Sequence, residues 1–339
     1  MPLSRKDFLK LSSLTTLGVT GKALSGFNED TVHHTLIKPS KLPEGATIGL
    51  IAPGSPIYSS SQYDKMLSDL KGLGYTLKLG KHIKDKRGYL AGKDEDRAQD
   101  LMDMFVDESV DGILCTRGGW GCNRILPLID FELIKSNPKV FSGFSDITSL
   151  HMAIQKKTGL VTFHGPVGKS EWNEFTLNSW QNVVQHGKAV DYVLPEGEEG
   201  QFTINSGKAK GRLLGGNLTV LTSMIGSEYL PDFEDSILFL EDIGEDVYRI
   251  DRMLTQLKLS GILEKLNGLV FGKCTECDSG PNSLSLKEVF DDHLSKLDIP
   301  AFYGAMISHE EKNVTIPIGV SATMNADTMT IQLQESGVK

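Results

Sequence analysis

The chain has 339 residues, a length whose prior is two domains of about 150 residues each. With 39% hydrophobic and 23% charged residues it is neither disordered nor fibrous. A net charge of −9 without basic runs disfavours a nucleic-acid partner, and the sequence contains no apolar run of about 18 residues, so no membrane span is expected.

Residues 4–10 read Ser-Arg-Lys-Asp-Phe-Leu-Lys. A weakly apolar stretch from Leu11 to Gly21 follows, and then the small-x-small site Ala23-Leu24-Ser25. Basic start, short apolar middle and small residues at the cut are the layout of a secretory signal. The segment is similar to a twin-arginine export signal, with Lys6 where the second Arg would stand. Residues 1–40 are therefore read as export signal and linker, against the rival reading of an amphipathic N-terminal helix. The expected location is periplasmic, or cytoplasmic if the signal is not used. A catalyst outside the cytosol works without ATP or cytosolic cofactors, which favours simple hydrolysis with no cofactor.

The apolar run Thr47 to Ala52, closed by Pro53-Gly54-Ser55-Pro56, reads as a buried strand entering a loop. Ser59 to Ser61 offer a cap to a helix that carries Met66, Leu67, Leu70 and Leu73 and ends at Gly74. A strand, Thr76 to Leu79, and an amphipathic helix, Glu95 to Glu108, come next. Gly112 to Thr116 is a strand running into the turn Arg117-Gly118-Gly119-Trp120-Gly121, with a helix through Ile129. Val140 to Phe144 is a strand that breaks at Ser145-Asp146 into a helix from Ile147 to Lys157, and Leu160 to Phe163 is a further strand. This alternation predicts an α/β N-terminal domain, residues 41–167, built on a parallel sheet covered on both faces. The loops at Pro53–Ser55, Arg117–Gly121 and Ser145–Asp146 then share the carboxyl edge of that sheet, where ligands bind in such folds. The polar, turn-rich stretch 168–210 reads as a linker with some structure. Residues 211–339 read as a smaller second domain. It holds strands at Ser236–Leu240, Gly268–Gly272, Val314–Ile318 and Met329–Leu333, and helices at Val247–Leu257 and Leu286–Leu297.

Ser145 sits where a strand ends and a helix begins, which lifts its side chain out of the sheet and aims a helix N-terminus at it. Nucleophile and helix cap both remain open for it. The Gly-x-Ser-x-Gly pattern is not met, because Ile147 stands at its last position. The glycines of Arg117–Gly121 suit a backbone oxyanion donor, and the phosphate-loop patterns are absent. The acidic run Glu241-Asp-Ile-Gly-Glu-Asp246 follows a strand. It could bind a metal or orient a histidine, but its default is a solvated face. Asp251 and Arg252 are expected to pair within the following helix or across to that loop. Of eight histidines, His151 faces away from Ser145, whereas spacing does not choose between His164 and His309 as its base. No His-Glu-x2-His pair occurs, so no metal is expected. Cys274 and Cys277 could be half a zinc site or a redox pair. The default for all four cysteines, with Cys115 and Cys122, is that of small buried hydrophobes.

Taken together and in order, several motifs resemble the LD-carboxypeptidase family over roughly residues 45–335. They are Arg117-Gly-Gly-Trp-Gly121 with Arg124, Gly143-Phe-Ser-Asp-Ile-Thr148, His164-Gly-Pro166 and Gly215-Gly-Asn-Leu218. Leu238-Phe-Leu-Glu-Asp242 with Tyr248-Arg-Ile-Asp-Arg-Met-Leu254, and His309 before Ile316-Pro-Ile-Gly319, complete the set. Members are also called muramoyltetrapeptide carboxypeptidases and include microcin-immunity peptidases. The resemblance implies a Rossmann-like N-terminal domain, a smaller β-rich C-terminal domain and a homodimer. It also implies a Ser-Glu-His triad of Ser145, Glu241 and His309, with oxyanion donors at the Gly119 and Asp146 amides. The implied substrate is a murein tetrapeptide losing its terminal D-alanine. Trp120 occupies a position often held by a smaller or hydroxylated residue, which bears on substrate preference. Arg117 and Arg124 are candidates for the substrate carboxylate, since a guanidinium fork is bidentate. The rival functions are cleavage of a peptide-nucleotide antibiotic and a non-catalytic periplasmic binding protein using the same cleft.

Overall fold

A computed structural model describes residues 35–339. Nearly all of the segment read as an export signal and linker therefore lies outside the described residues. Two sheets carry the rest. The first contains β1 (Thr47–Ile51), β2 (Thr76–Leu79), β3 (Gly112–Cys115), β4 (Val140–Gly143) and β5 (Phe163–His164). The second contains β6 (Asp191–Tyr192), β7 (Phe202–Asn205), β8 (Lys208–Asn217), β9 (Ser236–Ile243), β10 (Leu266–Thr275) and β11 (Ala301–Ala305). The chain then returns to the first sheet as β12 (Ile316–Pro317) and ends in the second as β13 (Ser321–Asn325) and β14 (Thr330–Leu333).

The first sheet runs β12-β5-β4-β3-β1-β2, parallel throughout except where β12 meets β5. Its middle strands β3 and β4 are buried along their whole length, as strands sandwiched between helices must be. The helix Ser60–Gly72 starts where the Ser59 side chain accepts from the Gln62 amide, and it buries Tyr63, Met66 and Leu70. The helix Asp94–Val106 opens with three acidic residues, which complement its dipole, and buries Leu101, Met104 and Phe105. The second sheet runs β6-β14-β13-β8-β9-β10-β11-β7, with β8 to β11 parallel at its centre and antiparallel strands on both flanks.

Several expectations are revised. The stretch 168–210 contains a helix, Glu174–Trp180, continued by a π turn through Gln185, and the strands β6 and β7. Trp180 anchors that helix, buried, with its indole N–H donating to the Tyr75 hydroxyl at 2.9 Å. The polar residues around it hid the element. The Val314–Ile318 strand shrinks to β12 and joins the first sheet, where Ile316 pairs with His164. Strands β8, β11 and β13 escaped the sequence reading: β8 opens with lysines, and β11 and β13 are five-residue segments with few large apolar residues. Asp251 pairs with the His293 ring at 2.6 Å rather than with Arg252, whose guanidinium lies over Tyr248. Cys115 and Cys122 are buried thiols, as expected, but Cys274 and Cys277 form a disulfide across the turn that ends β10. Bonded to each other, those two sulfurs are not zinc-binding thiolates.

Candidate active site

β4 stops at Gly143, where an added Cβ would stand 2.8 Å from Ile147 Cγ1. Two residues later Ser145 adopts φ 65°, a left-handed conformation that costs an L-residue about 1–2 kcal/mol. The surrounding structure enforces it. The Gly118–Gly119 turn after β3 presses on the Ser145 turn so closely that a Cβ on Gly118 would lie 2.8 Å from Ser145 Cβ and 3.0 Å from the Asp146 nitrogen. A three-residue 3-10 turn, Ser145–Ile147, leads into the helix Thr148–Thr158, and neither start has a side-chain cap. Ser145 is therefore not the helix cap; its half-buried hydroxyl stands at a strained strand-to-helix turn. The neighbouring Asp146 is fully buried and its Oδ2 accepts the Cys122 amide at 2.9 Å. Burial holds its carboxyl above the ordinary range.

The turn after β3 rests on two supports that sequence reasoning passed over. Ser55 donates its amide to Gly118 O at 3.1 Å and accepts the Trp120 amide on Oγ at 3.1 Å. Gly119, at φ 104°, backs onto that serine; a Cβ there would meet Ser55 Oγ at 2.4 Å. Beneath, the buried Arg97 donates to Pro53 O and, at 3.0 Å, to Gly121 O, and it pairs with Asp94 at 2.6 Å. Arg124 forks onto the same Asp94 through Nε at 3.0 Å and Nη2 at 2.7 Å. Its guanidinium thus serves the scaffold. Arg117 is half-buried, and among the described residues its side chain's one hydrogen bond is to Pro56 O, at 3.5 Å; Trp120 is exposed.

From the second sheet comes Glu241, near the end of β9 and fully buried. His309, 68 residues on, donates Nδ1–H to Glu241 Oε2 at 2.7 Å. That bond fixes the tautomer and leaves Nε2 as the basic nitrogen. The imidazole meets the Phe144 ring edge-on, with centroids 4.8 Å apart, one residue before Ser145. Ser145 Oγ itself makes no hydrogen bond among the described residues; such contacts commonly tighten only when substrate binds. Burial pulls the His309 imidazolium down, but the charge and hydrogen bond of Glu241, helped by Asp242 and Glu310, outweigh it and raise the ring above its ordinary value. The acidic run is thus split: Glu241 and Asp242 are buried, whereas Asp246 is exposed.

The two other histidines weighed as a base for Ser145 have partners of their own. His164 is buried behind Phe144, donates Nε2–H to Ile307 O at 2.9 Å and has its pKa lowered chiefly by burial. His151 bonds Gly143 O and the Thr162 hydroxyl, and burial pushes it down to about 3. Neither touches a buried carboxylate as His309 does.

One bridge across the two sheets was legible only as a motif, Gly215-Gly-Asn217. Asn217 donates its amide N–H to Thr148 Oγ1 at 2.9 Å and its side-chain Nδ2 to Asp242 Oδ1 at 3.0 Å. Asp242 also receives the Thr219 amide and hydroxyl. Burial, then the Glu241 charge, raise its carboxyl to about 6. The helix that follows Ser145 is thereby tied to the strand that carries Glu241. Among the described residues, His82, Asp85 and Asp96 lie close enough to share a metal ion, and none of Ser145, Glu241 and His309 belongs to that group.

A strained serine beside paired glycine turns, with a carboxylate-bound imidazole packed against the adjacent Phe144, has the parts for acyl transfer. Comparison with known proteins agrees with that chemistry. Residues 48–165 match the family model described as the LD-carboxypeptidase N-terminal domain, and residues 210–324 match the LD-carboxypeptidase C-terminal domain. The chain is 41% identical over 309 residues to a probable murein peptide carboxypeptidase of Bacillus subtilis, covering 89% of this chain and 95% of that one. It is 31% identical over 300 residues to the murein tetrapeptide carboxypeptidase of Pseudomonas aeruginosa, covering 85% and 95%. Its fold is similar to that of the microcin C7 self-immunity protein of Escherichia coli in the apo state. The TM-score is 0.84 at 27% identity, covering 89% of this chain and 100% of that one.

Proposed function

The chain belongs to the LD-carboxypeptidase family, and from that premise we propose that it hydrolyses the L,D peptide bond that releases the terminal D-alanine of murein tetrapeptides. It is a serine-type carboxypeptidase hydrolase. The observation that carries the finer reading is the 2.7 Å contact between a buried carboxylate and an imidazole that packs beside the Ser145 turn.

In the proposed mechanism His309 Nε2 takes the Ser145 proton as Oγ attacks the carbonyl of the L-centre before the terminal residue. Glu241 holds the tautomer and stabilises the imidazolium that forms. The Gly119 and Asp146 amides receive the oxyanion, each worth about 3 kcal/mol. The imidazolium then protonates the leaving amine. Water, deprotonated by the same ring, cleaves the acyl-enzyme. Trp120, exposed and next in the chain to Gly119, would meet the substrate beside the oxyanion donors.

The test is incubation with a tetrapeptide ending in D-alanine and detection of free D-alanine by mass spectrometry. Release by the native protein and none by Ser145→Ala is expected; activity that survives the substitution removes the assigned nucleophile. A second reading, cleavage of a peptide-nucleotide antibiotic, draws on the similarity to the microcin C7 self-immunity protein. It predicts faster turnover of an aminoacyl-nucleotide than of a muropeptide. A non-catalytic binding protein would take no label from a fluorophosphonate, whereas an activated Ser145 would. Export to the periplasm and assembly as a homodimer complete the proposal, to be read from fractionation and from light scattering.

A further inference from the structure

An exopeptidase has to recognise a free terminal carboxylate, and this deepening of the murein peptidase reading rests on it. With Arg124 committed to Asp94, the cations near the Ser145 turn have to be sought afresh. The segment after β5 supplies one. It runs across the carboxyl edge of the first sheet. Gly165 donates its amide to Gly143 O at 3.2 Å, Gly168 to Cys115 O at 2.8 Å, and Lys169 to Thr116 O at 3.1 Å. The path is tight, since a Cβ on Gly168 would stand 2.7 Å from Met66 Sδ. Lys169 is thereby delivered beside Arg117, the residue that opens the Gly118–Gly119 turn against Ser145.

Neither Arg117 nor Lys169 forms an ion pair among the described residues, in a chain of net charge −9. Lys169 is exposed, and partial desolvation, followed by the Arg117 charge, holds its ammonium below its ordinary value. Two cations whose backbones meet at Thr116, just before the Gly118–Gly119 turn that presses on Ser145, and that lack a paired carboxylate among the described residues, suit an anion brought by the substrate.

We propose that Arg117 and Lys169 form the subsite for the carboxylate of the leaving D-amino acid. Arg117 supplies a planar fork and Lys169 a point charge. Both are specificity-determining residues and neither takes part in bond making.

The test separates binding from turnover by using the Ser145→Ala protein. Calorimetry compares a tetrapeptide ending in free D-alanine with the same peptide ending in D-alaninamide. The free acid is expected to bind about ten- to hundredfold more tightly. Adding Arg117→Gln or Lys169→Gln should weaken the acid by about tenfold and leave the amide unchanged, and Lys169→Arg should restore much of the loss. Discrimination that survives both Gln variants overturns this subsite alone, as does equal binding of acid and amide. Absence of binding by either peptide overturns the subsite and the peptidase reading together. Discrimination that is lost in the variants, with no D-alanine released by the native protein, keeps the subsite and removes the peptidase reading.

Discussion

Glu241→Gln keeps the side-chain volume and removes one negative charge from a position with no solvent exposure. In the native protein that charge accepts Nδ1–H of His309 at 2.7 Å. As the reaction charges the imidazole, a carboxylate about 4 Å from the ring's centre of charge stabilises it by about 4 kcal/mol at an effective dielectric constant near 20, roughly a 10³-fold effect. A Gln can also turn its NH2 toward Nδ1 and hold the wrong tautomer, which brings the expected loss in kcat to about 10⁴-fold. The pH profile should move as well. Only the neutral imidazole acts as a base, so kcat/KM of the native enzyme rises as pH passes through the raised His309 pKa. In the variant burial still lowers that pKa and Glu241 no longer raises it, so the rising limb shifts to lower pH. Stability follows the same linkage. A raised histidine stabilises the fold below its unfolded pKa, and that contribution fades as pH climbs through the folded value. The native-minus-variant difference in Tm should therefore be larger at pH 5 than at pH 8.5. Steady-state kinetics across pH on material with native circular dichroism is the assay. Activity within tenfold of native with an unshifted limb would refute the assignment of Glu241.

Ser145→Gly should abolish D-alanine release while holding or raising Tm, because glycine takes φ 65° without the Cβ strain; a relief of up to about 1 kcal/mol is expected by thermal melting. Gly118→Ala places a methyl 2.8 Å from Ser145 Cβ, and a displacement of even 1 Å there should lower kcat by about 10²-fold in steady-state assays, with stability changed far less than activity. Arg124→Ala should leave KM for the tetrapeptide unchanged, since its fork is held by Asp94. Alkylation of the unfolded, unreduced protein should modify two cysteines, Cys115 and Cys122, and four after reduction, as read by intact mass.

Much of the first sheet is written locally. Apolar runs such as Thr47 to Ala52 alternate with helical spacings such as Met66 to Leu70, and each pattern is complete within a dozen residues. The break at Ser145, the glycines after β3 and the acid near the end of β9 are legible for the same reason, as departures from a period. Which of them act together is not a local property. His164 and His309 carry equal weight as letters, yet one is spent on the Ile307 carbonyl and the other on a buried carboxylate. Arg117 and Arg124 look alike until Asp94, 30 residues before Arg124, claims one of them. Lys169 lay in a stretch read as linker and gains its place only because the chain after β5 crosses the sheet edge. Periodicity records what each segment buries, whereas the partner of a charge depends on which segments meet, and only the packing of the two sheets decides that.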